Sequence, residues 1–104
     1  MNRYEILVGV AVVDQESYAA YRREMTPLLE ACGGGFRFDC EVSRVLRGGG
    51  EGAEVNRVFV IGFPSREVKE HFFSDPRYVE IRERLFTKAV ARTVRISEYE
   101  TTGG

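Results

Sequence analysis

Apolar and polar positions recur along this chain in two periods, and the switches between them mark out its elements. From Tyr4 to Val13 the runs Ile6-Leu7-Val8 and Val10-Ala11-Val12-Val13 show no polar alternation, the mark of a strand covered on both faces. Asp14 then stands where an N-cap would, its carboxylate placed to accept the free N–H groups of a first helical turn. From Gln15 to Cys32 the residues Tyr18, Tyr21, Met25, Leu28, Leu29 and Cys32 return at three- and four-residue steps, one stripe of an amphipathic helix. Pro27 lies inside this stretch and removes a helical hydrogen bond, which predicts a kink or a restart near Thr26. Gly33-Gly34-Gly35 ends the helix, because glycine takes the left-handed cap conformation without strain.

Phe36 to Leu46 alternates: Phe36, Phe38, Cys40 and Val42 point one way and Arg37, Asp39, Glu41 and Ser43 the other, a strand with one buried face. The glycine-rich Arg47–Asn56 reads as a loose connection. Arg57 to Phe63 is a third strand, again apolar on both faces, and Pro64-Ser65 stops it and caps the helix that follows. Val68, Phe72 and Phe73 are that helix's apolar positions. Ser74-Asp75-Pro76 breaks it and starts another, with Tyr78, Ile81, Leu85, Phe86 and Ala89 on the stripe and Glu80 and Arg84 paired at i, i+4 on the wet side. Arg92 to Tyr99 is the last strand.

The order β-α-β-β-α-β predicts a ferredoxin-like α+β fold, an antiparallel sheet with helices on one face. Its first and third strands are central, and here they are the two that are apolar on both faces. Helices cover only one face, so a second copy is the economical cover for the other: a homodimer, sheet against sheet, a dimeric α/β barrel. Residues 1–100 read as one domain and 101–104 as a frayed tail.

Composition narrows the function classes. The chain has 104 residues, 43% of them hydrophobic and 30% charged, as in ordinary globular proteins. Its net charge of −1 offers no broad grip on nucleic acid or on an acidic membrane. Arg57-Val58-Phe59-Val60-Ile61-Gly62-Phe63 faintly echoes the aromatic third strand of RNA-recognition domains, but Ile61 and Leu7 stand where stacking aromatics are wanted, and RNA binding is rejected. Two cysteines are too few for a disulfide scaffold, no signal peptide or membrane span is evident, and the expectation is a soluble cytoplasmic protein. Arginine supplies thirteen of the fifteen basic residues, which reads first as a coding bias and second as anion recognition.

Four stretches, taken in order, resemble the uncharacterised DUF1330 family of the dimeric α/β-barrel superfamily. They are Asp14 to Arg22 (DQESYAAYR), Gly34-Gly35-Phe36, Phe63-Pro64-Ser65-Arg66-Glu67, and Phe73-Ser74-Asp75-Pro76-Arg77-Tyr78. The resemblance implies the fold and a dimer but no activity. The wider superfamily includes cofactor-free monooxygenases, lactone isomerases, haem-handling enzymes and ligand-binding regulators, so function must be argued from the site.

The candidate chemistry is sparse. His71, the only histidine, would be the general base if it faced a cleft between helix and sheet; otherwise it is a surface residue beside Glu67 and Glu70. Tyr18, Tyr21, Phe38 and Tyr78 are the candidate ligand-binding residues of a helix–sheet gap, or else ordinary core aromatics with wet tips. Arg37, Asp39 and Glu41 share a strand face as an acid/base group or, more simply, as a salt-bridged row. Cys32 and Cys40 make a weak redox candidate, and no metal-ligand set, phosphate loop, nucleophile turn or cofactor motif is present. Two readings follow: a homodimer that binds or transforms a small apolar or aromatic molecule, and a structural or regulatory homodimer without catalytic activity.

Overall fold

A computed structural model describes residues 2–48 and 54–102. It forms a four-stranded antiparallel sheet in the order β2-β3-β1-β4, with the helices on one face, a ferredoxin-like α+β fold. The strands are β1 (Asn2–Val12), β2 (Gly35–Glu41), β3 (Arg57–Phe63) and β4 (Val90–Thr102). The two strands apolar on both faces, β1 and β3, are the central ones. Part of the predicted Arg47–Asn56 connection, residues 49–53, lies outside the described residues, as do Gly103 and Gly104 of the predicted tail. Thr101 and Thr102 belong to β4, because β1 starts early enough for Arg3 and Asn2 to pair with them.

Helix α1 (Gln15–Ala31) starts where Asp14 accepts the Ser17 N–H at 3.0 Å and the Ser17 hydroxyl at 2.7 Å. Those bonds hold the Asp14 carboxyl below its usual range. The restart predicted at Pro27 does not occur: the helix runs through it, and the Thr26 hydroxyl bonds to the Arg22 carbonyl one turn back. Losing one N–H costs less here than abandoning the buried stripe of Tyr18, Tyr21, Met25 and Leu29. Its end is a Schellman cap, Gly34 N–H returning to Leu29 and Gly33 N–H to Glu30. Gly33 sits at φ +85°, and a Cβ on Gly34 would stand 2.8 Å from the Gly62 carbonyl, so both glycines are required.

Two further helices follow β3. Ser65 caps α2 (Arg66–Ser74), and Asp75 both ends it and caps α3 (Pro76–Ile81) through the Arg77 N–H. Beyond α3 the helix continues through a π turn (Arg82–Phe86) and a last α turn (Thr87–Ala89). Tyr78, Ile81, Leu85 and Ala89 are buried against α1 and the sheet. The inner face contributes Tyr4, Ile6, Val10, Phe59, Ile61 and Phe63, all under 9% exposed.

One irregularity reassigns the second strand. Phe36 pairs with Ile61 but Phe38 pairs with Val60, so Arg37 is an extra residue in a β-bulge. The predicted alternation therefore breaks after Phe36. Phe36 and Asp39 face the helices, whereas Phe38 and Cys40 join Val60 and Val58 on the outer face. A second bulge in β4 leaves Ile96 on that outer face, against Gly9. The side chain of Asn56 continues β1's pairing beyond β3, accepting from Val12 N–H and donating to Val12 C=O, each at 2.9 Å.

Candidate functional site

Between the inner sheet face and the helices lies a cavity of about 580 Å³. That is within the ~300–1,000 Å³ usual for small-molecule sites. Its floor is Ile6, Val8, Phe36, Phe59 and Ile61, carried by β1, β2 and β3. Tyr21 and Met25 of α1, Phe73 of α2, Tyr78 of α3, and Phe86 of the π turn close it from above. Its charged wall is Lys69, Glu70, Arg82 and Arg95, and it reaches solvent along the exposed Glu70, Ser74, Thr93 and Arg95.

The deepest polar element is a pair of phenols. Tyr21 Oη and Tyr78 Oη lie 2.8 Å apart in a hydrogen bond, with the rings 6.3 Å apart and edge-on. Burial pushes both hydroxyls up, Tyr21 well above its ordinary value of about 10. At Tyr78 the bond with Tyr21 and the nearby Arg82 charge offset part of that rise. Both phenols are neutral at physiological pH and act as hydrogen-bonding groups. At the cavity's mouth Glu98 is held by the Tyr4 hydroxyl, by Lys69 at 3.0 Å and by Arg95 at 3.1 Å, which keep its carboxyl below the usual range.

The sequence-derived candidates are distributed unevenly. Tyr21 and Tyr78 line the cavity. Tyr18 lies behind its wall, 1% exposed, with its hydroxyl accepting from Arg22 Nε at 3.0 Å and its ring 5.8 Å from that of Tyr21. Phe38 is 56% exposed on the outer face, where the Arg37 bulge turns it. His71 is exposed and outside the cavity lining: α2 turns Lys69, Glu70, Phe73 and Ser74 toward the cavity, and one further step of about 100° carries His71 out of that arc. The bulge also separates the charged row. Arg37 approaches Glu5 at 3.5 Å on the outer face, while Asp39 faces inward to Arg57 at 2.7 Å and Arg22 at 3.2 Å. Cys32 and Cys40 are free, one donating to the Leu29 carbonyl and the other on the outer face. Among the described residues no three His, Cys, Asp or Glu side chains are grouped to hold a metal ion.

Arg82, Arg95 and Lys69 were not singled out by their sequence context, and Phe86 was read only as part of a helical stripe. For Arg82 a signal did exist. It stands four residues after Tyr78 and four before Phe86, a cation set on an aromatic helical stripe.

The family pattern of DUF1330, a domain of unknown function, matches residues 4–99. The chain belongs to the DUF1330 family. No curated protein matches this DUF1330 chain in sequence. Among solved structures, a protein of unknown function from Rhodopseudomonas palustris superposes with TM-score 0.73 at 22% identity, over 96% of this chain and 81% of that one. A hydroxynitrile lyase from Passiflora edulis gives 0.67 at 13% identity, covering 98% and 95%. A dabb family protein with a ferredoxin-like fold from Mesorhizobium loti gives 0.65 at 10% identity, covering 99% and 98%. At these identities the likeness is one of fold. None of the helices among the described residues is long and apolar enough to cross a membrane.

Proposed function

We propose that this DUF1330 protein is a cytoplasmic homodimer that binds a small apolar or aromatic molecule between its helices and sheet. The observation that carries the reading is the cavity itself: about 580 Å³, floored by aliphatic and aromatic side chains, with two phenol hydroxyls and a few charges at defined places. Such a lining recovers hydrophobic free energy from a ligand and uses few polar contacts to orient it. The hydroxynitrile lyase of the same fold shows that this architecture can host small-molecule chemistry. In this reading Tyr21 and Tyr78 are the orienting groups and His71 has no part. The outer face supports the dimer, since Phe38, Ile96 and Tyr99 are exposed beside Leu7, Val58 and Val60 of the central strands. Closing two such faces together would bury on the order of 1,200 Å² or more. The free thiols fit a reducing compartment.

The test is thermal denaturation with small aromatics such as phenol, benzyl alcohol and benzoate, on the wild type and on Val8→Phe, which fills the floor. A compound at a hundred times its Kd adds about 2.7 kcal/mol to the native state. At least one compound should raise Tm in the wild type and not in Val8→Phe. If none raises it, or if the shift survives Val8→Phe, the cavity is not a binding site, and the structural or regulatory dimer replaces this reading.

A further inference from the structure

We infer that the cavity is built for a monoanion, a small aromatic or apolar carboxylic acid whose carboxylate is received by Arg82 and the Tyr78 hydroxyl; this rests on the reading of the cavity as a small-molecule site.

The charge distribution points this way first. Lys69, Arg82 and Arg95 line the cavity against one lining carboxylate, Glu70. Lys69 and Arg95 share Glu98 at the mouth, so the group as a whole keeps a surplus of positive charge in a chain whose net charge is −1. Among the described residues Arg82 makes no ion pair and its guanidinium no hydrogen bond. It is also half-buried. The inward-facing arginines on the other side of the Phe36–Phe59 pair, Arg22 and Arg57, are both tied to Asp39. A planar guanidinium over an apolar cavity, with no acid of its own, presents donors matched to a carboxylate.

The backbone contributes the aim. In a regular helix each four-residue step gains about 40°, so Phe86 would drift well around the axis from Tyr78. The π turn takes part of that rotation back, with the N–H and hydroxyl of Thr87 both donating to the Arg82 carbonyl five residues before it. Tyr78, Arg82 and Phe86 all reach the cavity as a result.

The phenol pair supplies the second donor. Each hydroxyl has one proton, and only one of the two is spent on the bond between them. Either hydroxyl can be the donor in that bond; when Tyr21 donates, the proton of Tyr78, the phenol beside Arg82, is left for a ligand oxygen. Phe36, Phe59, Phe73 and Phe86 are there to take the ligand's ring or chain. A single uncommitted guanidinium suits one negative charge, not a phosphate dianion or a nucleotide.

The test compares acids with neutral isosteres by thermal shift and calorimetry: benzoate with benzamide, and phenylacetate with phenylacetamide, at matched ionic strength. In the wild type the acids should bind about tenfold tighter than their amides. Arg82→Gln should bring acid and amide level, while Arg84→Gln, whose partners Glu24 and Glu80 lie outside the cavity, should keep the preference. Equal affinity of acid and amide in the wild type, or a preference that survives Arg82→Gln, overturns the anion inference and leaves the small-molecule reading standing. Failure of acids and amides alike overturns both. If Arg82→Gln does not fold, the wild-type comparison of acid with amide decides alone.

Discussion

Two ends of the same helix–sheet layer use the same ingredients differently. At one end Arg22 lies over the Phe36 ring at 3.7 Å and the Phe59 ring at 4.9 Å, bonds to the Tyr18 hydroxyl, and meets Asp39. Arg57 joins the same carboxylate at 2.7 Å, so the chain fills this cluster with its own anion. At the other end the same two phenylalanines border the cavity, again with tyrosines and an arginine, but among the described residues no carboxylate meets Arg82. The difference is one side chain. Where the chain supplies its own anion, cation and aromatics close into a packed cluster. Where it does not, the layer stays hollow. A ligand carboxylate would do at Arg82 what Asp39 does at Arg22 and Arg57.

The largest break should come from the floor under this layer. Ile61, 3% exposed on the apolar cavity floor, is a costly place for a charge, because a carboxylate fixed there gives up its hydration against Ile6, Phe36 and Phe59 and displaces their packing. Ile61→Glu should cost more than about 4 kcal/mol and abolish cooperative unfolding in circular dichroism. Val60, one residue earlier, points out of the other face of the sheet. Val60→Glu should leave the secondary structure intact and turn a dimer into a monomer in sedimentation velocity. A monomeric wild type would remove the reason for the apolar outer face. Equal damage from both substitutions would mean that the faces are not distinct.

This contrast was partly legible in the sequence. The absence of alternation in β1 and β3, against alternation elsewhere, was enough to place them centrally, because burial on two faces writes itself directly into residue type. The helix caps at Asp14 and Ser65 and the helix break at Ser74-Asp75-Pro76 were readable for the same reason: local chemistry decides them. Phe38 was not readable. The Arg37 bulge that turns it outward is fixed by the pairing with β3, and the alternating pattern of Phe36 to Val42 carries no trace of it. The cavity was legible only at Tyr21 and Tyr78. Its charged wall comes from α2, β4 and the π turn, residues far apart in sequence that meet only once the sheet order is set.

A smaller effect should come from the filled end. Asp39 is held below the usual carboxyl range, first by its bond from Arg57 and then by Arg22. Asp39→Asn keeps the shape and removes the charge, leaving two partly buried guanidinium groups unmatched. A cost of about 1–3 kcal/mol is expected, between those of exposed and buried pairs. The sign with pH follows from the depressed value. The stabilisation is complete above the unfolded value of about 3.9 and is lost as pH falls through the lower folded value. The gap between wild type and Asp39→Asn in urea denaturation should therefore be constant near neutrality and close below about pH 4. A gap that persists unchanged into strong acid would show that Asp39 acts by packing rather than by charge.

The smallest effect belongs to the phenol pair of the hollow end. Tyr21→Phe removes one buried hydrogen bond, worth about 1 kcal/mol, but Tyr78 can turn to water that enters through the cavity mouth, so about 0.5–1 kcal/mol is expected. Its signature is alkaline. Burial raises Tyr21 well above its ordinary value, so the unfolded chain loses that proton first, and stability is full below about pH 10 and falls as pH rises beyond it. Tyr21→Phe removes that titration, and its deficit against wild type should shrink above pH 10. Tyr78→Phe, in contrast, deletes the hydroxyl nearest Arg82, and should weaken benzoate more than benzamide while costing no more stability than Tyr21→Phe. If the two variants affect the acid equally, the Tyr78 hydroxyl is not the one that meets the ligand.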